Sequence, residues 1–156
     1  TWEPFSKGLT SAAVHDLVIQ TDEQHLLVGT HGRSIYLADI KKIQDLSDEI
    51  LESSLYLYPL NNIKKSDSWG VQRSIWSQAY APELDITLFS SLSTNYNISI
   101  NDSNGNNVYK SEGKLDKGFN FVNYDLMDNN EYLDKGLYKV LIITDNDNLE
   151  KEFQIQ

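Results

Sequence analysis

Between Leu84 and Ile155 the chain alternates apolar and polar residues in short runs, each stopped by a glycine, asparagine or aspartate turn. Leu84, Ile86 and Leu88 share one parity, as do Tyr96, Ile98 and Ile100, then Tyr138, Val140 and Ile142, then Phe153 and Ile155. Phe119 and Phe121 begin a further run that switches parity to Tyr124 and Leu126. Successive side chains of a strand point to opposite faces, so a period of two marks strands with one apolar face. Turn signals at Asn104-Gly105, Lys117-Gly118, Lys135-Gly136 and Asp145-Asn146-Asp147-Asn148 recur at roughly ten-residue spacing, the signature of a β-sandwich. The fold class expected is therefore all-β, with a sandwich domain over residues 83–156.

Upstream the pattern differs. Val14–Ile19, Leu26–Thr30 and Ile35–Ala38 read as three strands joined by connections of hairpin length, Thr21–Gln24 and His31–Arg33. Apolar residues fill both faces of the first two runs, as in strands covered on both sides. A three-stranded sheet alone would leave one face bare. Ile40, Ile43, Leu46, Ile50 and Leu51 then fall at spacings of three and four, with Ser47 before Asp48-Glu49 as a helix start, so one or two short helical turns are expected. Leu55–Tyr58 alternates and stops at Pro59, so three to four antiparallel strands are expected in a first region over residues 1–60. Residues 61–82 have no sustained period and read as an ordered linker, whose aromatics Trp69, Trp76 and Tyr80 would fasten it to a domain.

The charge balance narrows the partners. Thirteen Lys and Arg against 23 Asp and Glu leave a net charge of −10, which opposes general electrostatic binding to nucleic acid or an anionic membrane. No apolar run reaches the length of a membrane span. The absence of cysteine excludes disulfide frameworks and thiolate metal sites. The opening TWEPFSKGL has neither a basic n-region nor an apolar h-region, so no signal peptide is read in this chain.

Few residues suggest chemistry. His15-Asp16 and His31-Gly32-Arg33 combine imidazole, carboxylate and guanidinium, groups that can move protons or hold zinc. These four residues are the candidate catalytic set, but a site needs a nucleophile or further ligands, and His25 sits in an expected turn. The structural alternative places His15 and Asp16 on a strand and lets the Gly32 turn aim Arg33 at a carboxylate or carbonyl. Asn101–Asn107 superficially suggests a calcium loop, yet it carries one carboxylate and lacks the acidic residue that closes such loops, so turn chemistry is expected. The same reading applies to Asp145–Asn148. Asn97-Ile98-Ser99 and Asn101-Asp102-Ser103 fit the glycosylation pattern, the first inside an expected strand. Trp69, Trp76 and Tyr80 are candidates for stacking on sugar rings. No carboxylate pair suited to glycoside hydrolysis stands out, and no metal or cofactor is expected.

The segment Trp2-x-Pro4-Phe5…Ala13-Val14-His15-Asp16-Leu17-Val18-Ile19…Leu26-Leu27-Val28-Gly29-Thr30-His31-Gly32-Arg33-Ser34-Ile35-Tyr36-Leu37-Ala38-Asp39-Ile40 resembles the last blade of the sortilin-like, BNR-repeat β-propellers, which include glycosyl hydrolase-like secreted bacterial proteins. The family's Asp-box is missing, so the likeness rests on this closing motif over Trp2 to about Leu60. Residues from about Leu84 to Gln156 resemble the Ig-like module of the flagellar hook-capping protein, through Ile98–Gly105, Gly118–Leu126 and Gly136–Val140. These resemblances imply the terminal blade segment of a propeller followed by an Ig-like β-sandwich, in a protein that is extracellular, on the cell surface or periplasmic. The implied role is a non-catalytic structural or interaction module whose partners are the rest of the parent propeller, a second copy through exposed blade strands, or carbohydrate. The alternative is a contribution by His15, Asp16, His31 or Arg33 to the rim of a carbohydrate-active propeller site.

Overall fold

The structure, a computed structural model, describes residues 11–156. Trp2, Pro4 and Phe5 of the blade-like motif lie outside the described residues. Among the described residues the protein is all-β apart from two short helical turns, and the chain divides into two compact units between Ser47 and Asp48.

In the first unit β1 (Val14–Gln20), β2 (His25–Thr30) and β3 (Ile35–Asp39) form an antiparallel sheet in that order. The β1–β2 connection turns at Gln24, with φ 54°, and Gln20 Oε1 accepts the Glu23 N–H at 2.6 Å. The β2–β3 turn needs positive φ at two residues, Gly32 at 72° and Ser34 at 99°. Glycine bears this freely, whereas serine is held there by Thr30, whose Oγ1 donates to the Ser34 carbonyl at 2.6 Å. β3 runs into α1 (Lys41–Gln44), and Asp39 Oδ1 accepts the Lys41 N–H at 2.9 Å. Val28 and Ile40 are buried, but Leu17 and Ile19 on one face of β1, Val18 on the other, and Ile35 and Leu37 of β3 are exposed.

The second unit begins with α2 (Asp48–Glu52), whose first turn carries Asp48 and Glu49 where the helix dipole favours them. Next come β4 (Leu55–Leu57), β5 (Leu84–Ser90), β6 (Thr94–Asn101), β7 (Asn107–Leu115) and β8 (Gly118–Tyr124). A two-residue ribbon, β9 (Met127–Asp128) with β10 (Glu131–Tyr132), precedes β11 (Gly136–Thr144) and β12 (Asn148–Ile155). One sheet has the order β4-β5-β8 and the other β12-β11-β6-β7, with antiparallel pairing throughout. Leu57, Leu84, Ile86 and Leu88 from the first share a core with Ile98, Ile100, Val140, Ile142, Phe153 and Ile155 from the second. Two sheets facing one core make a sandwich. The Tyr124 hydroxyl ties the β8 end to the following turn by donating to the Met127 carbonyl at 2.9 Å, and burial raises its pKa.

Three features differ from the sequence-based expectation. Leu55–Leu57, expected with the first region, pairs with Leu88–Ser90 of β5, so the division lies upstream of Leu60. An alternating tripeptide fits any open sheet edge, and its pattern alone names no partner. Residues 61–82, expected as an ordered linker fastened to a domain, are so fastened but lie inside the second unit and not between two domains: Ile63 bridges Ile155 in parallel, with Ile63 N–H donating to Gln154 O and Gln156 N–H to Ile63 O, both at 2.8 Å. The third concerns β8, whose register against β5 is unbroken, so no parity switch occurs. Tyr124 and Val122 face the core side, and Phe119 and Phe121 the opposite one, where Phe119 meets Tyr58 and Phe89 at centroid distances of 5.9 and 5.7 Å.

Candidate functional site

The residues singled out for chemistry fall into three places. In the first unit the pairing shifts between Val14 and Asp16, which leaves His15 as the extra residue of a β-bulge. Bulges re-aim side chains, and here the imidazole of His15 comes beside that of His31, with ring centroids 5.1 Å apart and planes inclined by 20°. The backbone reinforces this juxtaposition, since His31 N–H donates to the Ala13 carbonyl at 3.0 Å. Asp16, however, turns its carboxylate to its own strand, Oδ1 accepting the Leu17 N–H at 2.9 Å. His25 begins β2 at the end remote from Thr30 and pairs with Gln20 and Asp39. Arg33 is exposed on the β2–β3 turn, with no ion pair among the described residues. The structure therefore brings together His15 and His31, while Asp16 and His25 are directed elsewhere. Among the described residues no three His, Cys, Asp or Glu side chains group as a metal site.

The second place is the β6–β7 hairpin tip. Asp102 Oδ1 accepts the N–H groups of Asn104 and Asn106, both at 2.8 Å, and its Oδ2 accepts Asn106 Nδ2–H at 2.9 Å. These bonds, led by the Asn106 side chain, lower the Asp102 pKa. The calcium-like spacing is thus a turn whose carboxylate caps its own backbone, as its composition implied. At the β11–β12 tip the carboxylate is held instead by the start of β6. Asp145 Oδ2 accepts the Asn95 N–H at 3.1 Å and the Thr94 hydroxyl at 3.2 Å, and its pKa is lowered for that reason.

Beside the first tip lies a cleft of about 330 Å³ that sequence reasoning missed, with Asp102, Asp128, Glu131, Asp134, Lys135 and Tyr138 among its walls. Three of its carboxylates are engaged: Asp102 in its own turn, Asp134 Oδ1 with Lys65 Nζ at 2.7 Å, which lowers its pKa, and Asp128 Oδ1 accepting Asn129 Nδ2–H at 3.1 Å. The cleft draws its walls from three separate turns, so no single stretch of sequence signals it.

The third place is the segment before β5. Trp69 is 8% exposed, in the core, with its ring edge-on to Tyr132 at 5.6 Å. Gly70 follows with φ 73°, and a Cβ there would stand 3.0 Å from Tyr132 Cε2, so glycine is needed both for conformation and for space. Its N–H donates to the Tyr80 carbonyl at 2.8 Å, closing a loop over residues 70–80. At the far end Ser74 and Ser77 form a reciprocal turn: Ser77 Oγ accepts the Ser74 N–H at 3.0 Å, and Ser74 O accepts the Ser77 N–H at 3.2 Å. Between them Ile75 and Trp76 are exposed, Trp76 by 91%, and Tyr80 is exposed at the base. Trp69 is thereby removed from the stacking candidates, whereas Trp76 and Tyr80 remain accessible. The sequence carries no signal for the exposure of Ile75, since an aperiodic segment gives no face to which an apolar residue can be assigned.

No family model and no curated protein matches the chain. Among solved structures, the crystal structure of dimeric latent PorU from Porphyromonas gingivalis is a distant likeness, with a TM-score of 0.42 and 10% identity. The likeness covers 84% of this chain and 12% of that one. No helix among the described residues is long and apolar enough to cross a membrane.

Proposed function

We propose that this chain is a non-catalytic C-terminal region of a larger secreted protein, in which the first unit completes a β-propeller blade and the second, an Ig-like sandwich, spaces, stabilises or docks the whole. The observation carrying this reading is the bare three-stranded sheet. Leu17 and Ile19 on one face of β1, Val18 on the other and Ile35 on β3 are exposed, Leu17 by 59% and Ile35 by 71%. Large apolar residues on both faces belong between covering layers, and each left in water forgoes about 1.5–3 kcal/mol of burial. The sandwich, with its own closed core, needs no such completion. Covering layers from the parent propeller fit the closing-blade likeness of Val14–Ile40, and the parent's location would then be extracellular, on the cell surface or periplasmic.

One observation favours a second reading, the approach of His15 to His31, which places two of the four catalytic candidates together. In that reading the parent is a BNR-repeat glycoside hydrolase and these imidazoles stand at the rim of its carbohydrate site. Alanine at His31 and Arg33 in the full-length parent separates the two. The proposal expects unchanged turnover of any glycoside the parent cleaves and unchanged folding. A selective loss of turnover with an intact melting transition would transfer the assignment to the hydrolase.

A further inference from the structure

We infer that the loop over residues 70–80 is a docking tip for a neutral polysaccharide, with the Trp76 indole as the stacking platform. The inference is independent of the propeller reading, since it uses only residues of the sandwich unit. Trp76 is 91% exposed although the loop around it is ordered by its own bonds, Ser74 to Ser77 at the tip and Gly70 to Tyr80 at the base. The N–H groups of Ser74, Trp76 and Ser77 and the Ser74 carbonyl are bonded within the turn, so the indole stands on an ordered tip with little ordering left to be lost on binding.

The chemistry of the tip selects the occupant. Residues 71–82 carry a single charge, Arg73, in a chain whose net charge is −10. The surrounding field repels anionic lipid, nucleic acid and acidic glycans, and the tip offers no cluster of cations to overcome it. An uncharged partner meets no such barrier. Gln72 and Gln78, both exposed and within four residues of Trp76 in sequence, supply amide groups, donors and acceptors of the kind sugar hydroxyls require. The axial C–H face of a pyranose supplies the apolar surface that an exposed indole lacks, with Ile75 beside it and Tyr80 as a second ring at the loop base.

The test uses the whole chain in affinity electrophoresis through gels containing mixed-linkage glucan, galactomannan or xylan, with sedimentation against phosphatidylcholine vesicles with and without phosphatidylserine. Retardation by at least one neutral polymer is expected, with a Kd weakened at least about tenfold by Trp76→Ala and by less than about threefold by Trp76→Phe, since any aromatic ring can stack. Trp76→Gln, which keeps the position polar and exposed, gives the same loss should the alanine variant melt early. Absence of retardation in all three polymers, equal retardation of Trp76→Ala, or co-sedimentation with vesicles in place of polymer binding would overturn the inference.

Discussion

The two units are built from the same local grammar and differ in what covers them. Each is antiparallel, each uses short turns with positive φ at glycine or a small polar residue, and each is rich in branched aliphatic residues. Yet Ile86, Leu88, Ile98, Ile100, Val140 and Ile142 are fully buried, whereas Leu17, Val18, Ile19, Ile35 and Leu37 stand in solvent. A strand becomes a stable part of a domain only when a second layer meets its apolar face, and the sandwich brings that layer within its own unit. The contrast teaches that hydrophobicity in a strand predicts burial only together with the partner sheet.

The largest expected effect follows directly. Ile142→Ala removes methyl groups from the centre of the shared core and should cost about 2–5 kcal/mol in urea unfolding of the whole chain. Ile35→Ala, on the bare sheet, should change stability by no more than about 0.5 kcal/mol. Equal costs at the two positions would mean that the sheet face is covered in solution and would remove the contrast.

Next in size is Gly70→Ala. The substitution meets a left-handed backbone and the Tyr132 ring at 3.0 Å, so it should cost about 1–3 kcal/mol. Trp69 would be loosened with it, which a red shift of buried tryptophan emission would report. An unshifted spectrum and an unchanged urea midpoint would show that the segment is not pinned through this residue.

Much of the sandwich was legible because alternation there coincides with burial. Leu84, Ile86 and Leu88, or Tyr138, Val140 and Ile142, each name one face, and that face is the core. Where two faces are both aromatic or apolar, parity loses its meaning: the pattern of Phe119 and Phe121 followed by Tyr124 and Leu126 suggests a switch of face, although an unbroken register holds the two phenylalanines opposite the core throughout. The three strands of the first unit were also legible with their turns, but not which residues they would touch. At the candidate sites the turn chemistry of Asp102 could be read from composition, since its bonds are local, whereas Asp145 is bonded by Thr94 and Asn95, 51 and 50 positions away, which composition does not announce. The approach of His15 to His31 could not, because it depends on a one-residue bulge that no residue type announces. Nor could Lys65 and Asp134, whose bond spans 69 positions.

The pH response should also separate the units. Asp102, Asp134 and Asp145 all belong to the sandwich and all have pKa values lowered in the folded state, by hydrogen bonds from Asn106, from Lys65 and from Asn95, respectively. A carboxylate whose folded pKa lies below its unfolded one stabilises the fold fully above the unfolded value, and that contribution disappears as pH falls through the folded value. The urea midpoint should therefore hold steady from neutral pH down to about pH 5 and then decline as acid protonates these groups. Asp145→Asn should lower the midpoint at neutral pH and make the acid decline shallower. A variant with the same acid slope as the parent chain would show that the Asn95 and Thr94 bonds do not discriminate between the protonation states of Asp145.

The smallest effect on stability is expected where the effect on association should be largest. Leu17→Lys with Ile35→Lys places charges on two exposed positions, so the urea midpoint should move by no more than about 0.5 kcal/mol equivalent. A three-stranded sheet with bare faces and open edges draws in other β-structure, a tendency that charged residues oppose. In the isolated chain the paired substitution should therefore reduce any concentration-dependent association seen by light scattering. In the parent it should impair assembly, because the same two side chains would have to be buried as charges against covering layers, at several kcal/mol each before relaxation. Normal assembly of the parent carrying both lysines would mean that these faces remain in water there too, and the bare sheet would then need a different explanation from the one its apolar residues suggest.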